Sequence, residues 1–324
     1  MIAHLVRGPR VLLELLPKSS QEAVKATLRK YRARAVRILY SYSASDLGTR
    51  LRNLGVGPGD AILMQSSFHE LNGFDGEASD VIDCVLQAIG PTGHLFMVSM
   101  PYSGAAVDYL RSGNTFDVNR APSHMGLISE LFRRRKGVLR SANPMHPILA
   151  WGPRADWVVA GHEDLEHSCG EHSPLAKMLD LDTKALLFDV DLDVLTFTHY
   201  LEHTFQSSAP APVYAADPIA VNVIDRARAH RTVRVYPFAP EAMRLRNFGV
   251  LYDELLERRL VAEDRIGNTR LKLVSLRSVL SCGADIVGRG GHIFARPGEP
   301  TRIKPARRRG ITAFLARFGS RRSH

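Results

Sequence analysis

His199 and Glu202 stand three residues apart in the stretch Asp193-Val-Leu-Thr-Phe-Thr-His-Tyr-Leu-Glu202. On a helix, positions i and i+3 project from one face, so this imidazole and carboxylate can meet. A carboxylate beside an imidazole fixes its tautomer and raises its basicity. The pair therefore suits the removal of a proton from a substrate. Asp193 could orient the same ring or cap the helix. The segment His199-Tyr-Leu-Glu202-His203 also spells H-x-x-E-H. In that motif two histidines hold zinc and the glutamate activates a water. A zinc hydrolase is thus the rival enzyme class, but it needs a third ligand, and no distinctive glutamate-bearing helix follows downstream.

Other reactive residue types are less directive. His162, His167 and His172 lie in Gly161-His-Glu-Asp-Leu-Glu-His-Ser-Cys-Gly-Glu-His-Ser-Pro174, which reads as a solvated loop entering a helix at Pro174. Cys169 has no base at fixed spacing, so nothing supports it as a nucleophile. Gly55-Val-Gly-Pro-Gly59 and Gly288-Arg-Gly-Gly291 lack the spacing of phosphate loops. Gln65-Ser-Ser-Phe68 follows a strand and precedes a loop, where hydroxyls and free backbone N–H groups could hold a carbonyl or phosphate.

The elements that must position these residues alternate between helix and strand. Residues 20–38 read as a basic helix, and 45–54 as a second one capped by Ser45. Ala61–Met64, Leu95–Val98, Ile148–Trp151 and Ala185–Val190 are short apolar runs expected to be buried strands. Ser79–Ile89 has helical apolar spacing, and Met125–Arg135 predicts a helix with Leu127, Ile128, Leu131 and Phe132 inward. A helix over about 196–206 carries His199. Val221–Ile224 and Thr232–Tyr236 alternate like antiparallel strands. Helical 248–260, a strand over 270–276 and a helix near Ser275–Cys282 complete the series. The pattern is that of an α/β protein whose later strands run antiparallel.

At 324 residues, 45% apolar and 23% charged, the chain can bury a large core as one domain. No apolar stretch of transmembrane length occurs, Glu14 interrupts the N-terminal apolar patch, and no secretory signal is expected. Cys84, Cys169 and Cys282 are far apart, which fits reduced thiols and a cytoplasmic location. The net charge of +10 is unevenly spread. Residues 1–38 hold nine Lys/Arg against two Glu, and 296–324 hold nine against one, leaving −5 on the body. An acidic body favours a cationic acceptor and argues against nucleic acid. The division expected is a basic helical extension over 1–38, one catalytic domain over 39–295, and a basic flexible tail over 296–324. Residues 307–318 could form a basic amphipathic helix at a membrane surface or partner, and self-association is open.

Several blocks, in order, resemble the aminoglycoside 3-N-acetyltransferase family. They are Leu54-Gly-Val-Gly-Pro-Gly-Asp60, Gln65-Ser-Ser-Phe68 and Gly90-Pro-Thr-Gly-His-Leu-Phe-Met97, then Phe116-Asp117, Pro122-Ser-His-Met-Gly126, Arg140-Ser141 and Ala150-Trp-Gly-Pro-Arg154. Gly161-His162, Gly170, Ser173-Pro174, Asp193…Thr196…His199…Glu202 and Gly267-Asn-Thr-Arg-Leu271 continue the series, so the likeness runs over roughly 45–290.

The resemblance implies a three-layer α/β/α sandwich with a mixed central sheet. It also implies acetyl-CoA as co-substrate, no metal, and acetyl transfer to an amine of an aminoglycoside or related amino sugar, an antibiotic-resistance activity. His199 would match the family's base, Glu202 and Asp193 its acidic partners, and Ser66, Ser67 and Phe68 the block that contacts the cofactor. His146 and Thr196 are candidates to face the acceptor or the oxyanion. The chain departs from the family pattern at Gln65 and Asn143, where histidines are usual, at Pro147 for Ser, and at Leu195 for Asn. A divergent member that only binds a CoA ester or sugar is the alternative in the binding class.

Overall fold

The computed structural model describes residues 17–302, apart from positions 70 and 297. The expected amphipathic helix at 307–318 lies outside the described residues. Helix α1 spans Lys18–Leu39 and α2 spans Ala44–Leu54. The start of α2 corrects the expectation of Ser45 as its cap. Ser43 is the cap: its Oγ accepts from Asp46 N at 3.2 Å, and Asp46 Oδ2 accepts from Ser43 N at 2.9 Å. This reciprocal box satisfies two orphan donors at once. Gly55, at φ 107°, closes the same helix in the left-handed conformation.

Seven strands form the main sheet in the order β4-β5-β2-β1-β6-β10-β9. They are β1 (Ala61–Ser66), β2 (His94–Val98), β4 (Leu139–Arg140), β5 (Ile148–Trp151), β6 (Lys184–Phe188), β9 (Val261–Ile266) and β10 (Thr269–Ser275). The centre β2-β1-β6 is parallel, with Leu63 opposite Phe96 and Ala185, while both flanks pair antiparallel. A smaller sheet joins β3 (Phe116–Asp117), β7 (Ile219–Ile224) and β8 (His230–Val235).

Alternation along the central strands divides the core into two layers. Ile62, Met64, Leu95, Met97, Leu186 and Phe188 face α2, α3 (Ala78–Ile89) and α5 (Leu127–Arg133). Leu63, Phe96, Val98, Ala185 and Leu187 face the other way, toward the small sheet and the helices α8 (Thr198–Thr204), α10 (Phe248–Glu257) and α11 (Leu276–Gly288). Two layers of helices around a mixed sheet are the three-layer sandwich that the sequence implied. Leu127 departs from its expected inward position: it stands at the first residue of α5 and is 53% exposed.

The central strand β1 has a parallel neighbour on each side, and its carboxyl end is the place where open α/β sheets collect ligands. Residues 66–68 leave β1 there, and residues 189–199 leave β6 beside them. This juxtaposition brings the two halves of the candidate site together.

Candidate active site

His199 lies in the first turn of α8, beyond a single 3-10 turn at Leu192–Val194. Its approach is fixed from β1. Gln65 Oε1 accepts from Thr196 N at 3.1 Å, and Gln65 Nε2 donates to Thr196 Oγ1 at 3.1 Å and to the Val194 carbonyl. One amide thus holds the loop that delivers His199, and Thr196 is committed to it through both backbone and side chain.

His199 Nδ1 meets Glu202 Oε2 at 2.6 Å. An ionised carboxylate only accepts, so Nδ1 donates and Nε2 is the ring nitrogen that Glu202 does not engage. The imidazole is 19% exposed and its partner Glu202 is fully buried. Burial alone would raise the Glu202 carboxyl, but the hydrogen bond from His199 and the charge of Arg246 outweigh it and hold it below the usual range. Arg246 Nε and Nη2 reach Oε1 and Oε2 at 2.7 and 3.0 Å, a bidentate fork.

Arg246 is itself seated twice. Its guanidinium lies 5.0 Å from the Phe238 ring centroid, and its backbone forms an antiparallel bridge with Phe294. Phe238 also packs against His199, with centroids 5.0 Å apart.

His146 packs beside His199. Its ring centroid is 5.1 Å from that of His199, and its Nδ1 pairs with Ser168 Oγ at 2.7 Å. Complete burial, then the neighbouring His199, keep His146 well below the ordinary imidazole range, so it is neutral. Asn143 shapes the turn that presents it: Oδ1 accepts from Met145 N at 3.0 Å and His146 N at 3.4 Å. The amide nitrogen of Asn143 donates to the carbonyls of His162 and Leu165, both at 3.2 Å.

The loop histidines correct the expectation of solvation. His162 is completely buried, and its Nε2 donates to the Ser168 carbonyl at 2.8 Å, so its Nδ1 accepts from Ser141 Oγ at 2.8 Å. Burial pushes it down to about 4. His167 stacks 4.3 Å from Tyr214, and only His172 is exposed. Cys169 is buried and its thiol is pushed upward by that burial, which keeps it a protonated, unreactive group.

The remaining expected residues fall in separate places. Ser66 ends β1, and the backbone N–H of Ser67 is not free: it donates to the Phe188 carbonyl at 2.9 Å. Phe68 turns edge-on to Phe74, 6.3 Å between centroids. Asp193 sits on the 3-10 turn, where its charge bears on Tyr252 of α10, while Nδ1 of His199 is taken by Glu202.

His203 points elsewhere, its Nδ1 3.0 Å from the Tyr214 hydroxyl. Its ring crowds Gly170, where a Cβ would come within 2.9 Å. With Glu202 locked to Arg246 and the two histidines turned to different partners, the residues do not fit the zinc reading. Among the described residues no group of three His, Cys, Asp or Glu could hold an ion.

Arg246, Phe238 and Ser168 were missed from sequence. Only the need of a buried carboxylate for a cation pointed toward the first, and Arg244 met that need equally well.

Comparison with known proteins adds the wider frame. Residues 63–287 match the profile of the family described as aminoglycoside 3-N-acetyltransferase, a segment that starts after α1. The aminoglycoside N(3)-acetyltransferase III of Salmonella sp is 32% identical over 164 residues, covering 47% of this chain and 57% of that protein. The chain thus spans just over half the length of the first curated relatives it matches. The type IV enzyme of Salmonella sp is 28% identical over 263 residues, 80% of this chain and 93% of that protein. Aminoglycoside acetyltransferase AAC(3)-IVa in complex with apramycin superposes with a TM-score of 0.63 at 26% identity, over 81% of this chain and 99% of that one. A binary complex of AAC-IIIb with CoASH shares the fold with a TM-score of 0.64 at 23% identity, over 80% and 99% of the two chains.

Proposed function

This chain belongs to the aminoglycoside 3-N-acetyltransferase family, and from that premise we propose that it transfers an acetyl group from acetyl-CoA to an amine of an aminoglycoside or related amino sugar. The observation that carries this reading is the His199–Glu202–Arg246 relay. It leaves Nε2 of a partly exposed imidazole unengaged by Glu202 and backed by a buried negative charge.

A protonated amine has no lone pair with which to attack. In the proposed mechanism His199 Nε2 takes that proton, and Glu202 stabilises the imidazolium that results. The freed amine nitrogen bonds to the thioester carbonyl carbon. The nitrogen gives up its second proton to solvent as the C–S bond breaks and the amide forms, and His199 returns its own proton to the departing thiolate. Neutral His146 supports the oxyanion reading. That role requires the tautomer in which Ser168 Oγ donates to Nδ1, so that Nε2 carries a hydrogen for the developing negative charge. Thr196 is assigned to the same space. Ser66, Ser67 and Phe68 at the exit of β1 are the residues assigned to the pantetheine arm. The body charge of −5 favours the cationic acceptor. An aminoglycoside as acceptor would make this an antibiotic-resistance activity.

The test is His199→Ala assayed for free-thiol release from acetyl-CoA against a panel of aminoglycosides and amino sugars. Turnover is expected to fall by about 10²–10⁴-fold with acetyl-CoA binding preserved by calorimetry. Unchanged turnover would refute the assignment of the base. Acetyl-CoA binding without turnover on any amine in the wild-type chain would favour a binding protein.

A further inference from the structure

Helix α1 precedes the segment shared with the family, yet its end is bolted to the domain. The Tyr40 carbonyl that follows it sits in a notch between Gly73 and Gly267. A Cβ at either position would come within 2.4 or 2.1 Å of that oxygen, and both glycines have positive φ. Tyr42 then enters the core. Its N donates to the Gly73 carbonyl at 3.0 Å, its carbonyl accepts from Asp75 N at 2.8 Å, and its hydroxyl pairs with Thr269 Oγ1 at 2.7 Å.

Between α1 and this loop lies a cleft of about 590 Å³, within the usual size of small-molecule sites. Arg34 and Arg37, one helical turn apart, line one wall, while Phe68, Phe74 and Leu127 supply apolar surface opposite. Among the described residues neither guanidinium forms a hydrogen bond or ion pair. Asp75 is the one acid in the lining, so two cations share the cleft with one carboxylate. Unpaired guanidinium forks beside aromatic rings suit a phosphate next to a purine.

The cleft and the reacting centre share one strand exit. Phe68 lines it, and three residues earlier on the same strand exit Gln65 holds the loop that carries His199. A ligand with phosphates in the cleft and a long arm along residues 65–68 would bring its far end to the imidazole. We infer that α1 supplies Arg34 and Arg37 to the phosphorylated, adenine-bearing end of the acyl-CoA, with Phe74 against the base. This rests on the acyltransferase reading above and adds a cofactor subsite from outside the family segment.

Calorimetry on the full chain tests it, with coenzyme A, pantetheine and inorganic phosphate as probes. Arg34→Ala and Arg37→Ala change exposed side chains and should leave the fold intact. Each is expected to weaken coenzyme A binding by about tenfold, and the double variant by about a hundredfold, with pantetheine binding unchanged. The wild-type affinity for coenzyme A should fall with added salt more steeply than that of the double variant. Equal coenzyme A affinity in the double variant would overturn the subsite alone, leaving the acyltransferase reading in place. Equal loss of pantetheine binding would overturn it too, as would arginine-dependent phosphate binding that coenzyme A does not displace. No binding of coenzyme A to the unaltered chain would overturn both.

Discussion

Arg246 lies 44 residues beyond Glu202 in the chain, yet it grips both carboxylate oxygens, at 2.7 and 3.0 Å. With the hydrogen bond from His199, that contact lets a fully buried carboxylate stay ionised. Without a counter-charge a buried acid takes up a proton and ceases to support an imidazolium.

Breaking this pair from one side should therefore be costly. Arg246→Met leaves Glu202 buried with only the His199 imidazole as partner, and removal of one partner of a buried pair costs about 3–5 kcal/mol. Glu202→Gln strands the guanidinium similarly. The double variant is expected to lose clearly less than the sum of the two. Urea unfolding of the three variants checks this, and strict additivity would show that the two groups are not coupled.

Acid should destabilise the fold earlier than carboxylates alone predict. His146 and His162 are held neutral by burial, His162 down to about 4. Their folded-state values lie below the unfolded value of about 6.5, so their contribution is full above that pH and is lost as pH falls. His162 alone should remove about 1.4 kcal/mol per pH unit between roughly 6 and 4. Glu202, also lowered in the fold, adds to the loss below about pH 4.5. Melting temperatures recorded from pH 7.5 to 4.5 should fall, and fall less steeply in His162→Gln. A melting temperature that rises on acidification would contradict the burial argument.

Gln65 is a positioning residue. Gln65→Ala frees Thr196 and Val194, and so loosens the loop before His199. Turnover is expected to drop by about tenfold or more, since small misplacements of a catalytic group are expensive, while the KM for acetyl-CoA stays within about twofold. A change confined to KM would assign Gln65 to ligand binding instead.

The half of the site that depends on local spacing was legible in the sequence. His199 and Glu202 announce themselves because i,i+3 geometry is a property of any helix, and the buried strand ahead of them is a continuous apolar run. Arg246, Phe238 and Ser168 were not legible, since they join the site through tertiary contacts that no local period encodes.

The fold follows the same division. Strands β1, β2, β5 and β6 are apolar runs, whereas β9 reads Val261-Ala-Glu-Asp-Arg-Ile266 and is buried only at its ends. An edge strand facing water has little hydrophobic pattern to show. The cap of α2 was misplaced by two residues because Ser43 and Ser45 both precede the apolar positions. Only the Asp46 contact distinguishes them.

The bridge between Arg246 and Phe294 is flanked by backbone bonds from Asn247 N to the Ile293 carbonyl and from Ala295 N to the Leu245 carbonyl. The strap that steadies the proton-accepting machinery therefore comes from far along the polypeptide, beyond the last helix of the sandwich. A protease nick just after α11, or a truncation there, would leave the sheet whole. It would nonetheless slacken the arginine, then the glutamate, and silence an imidazole ninety-odd positions upstream.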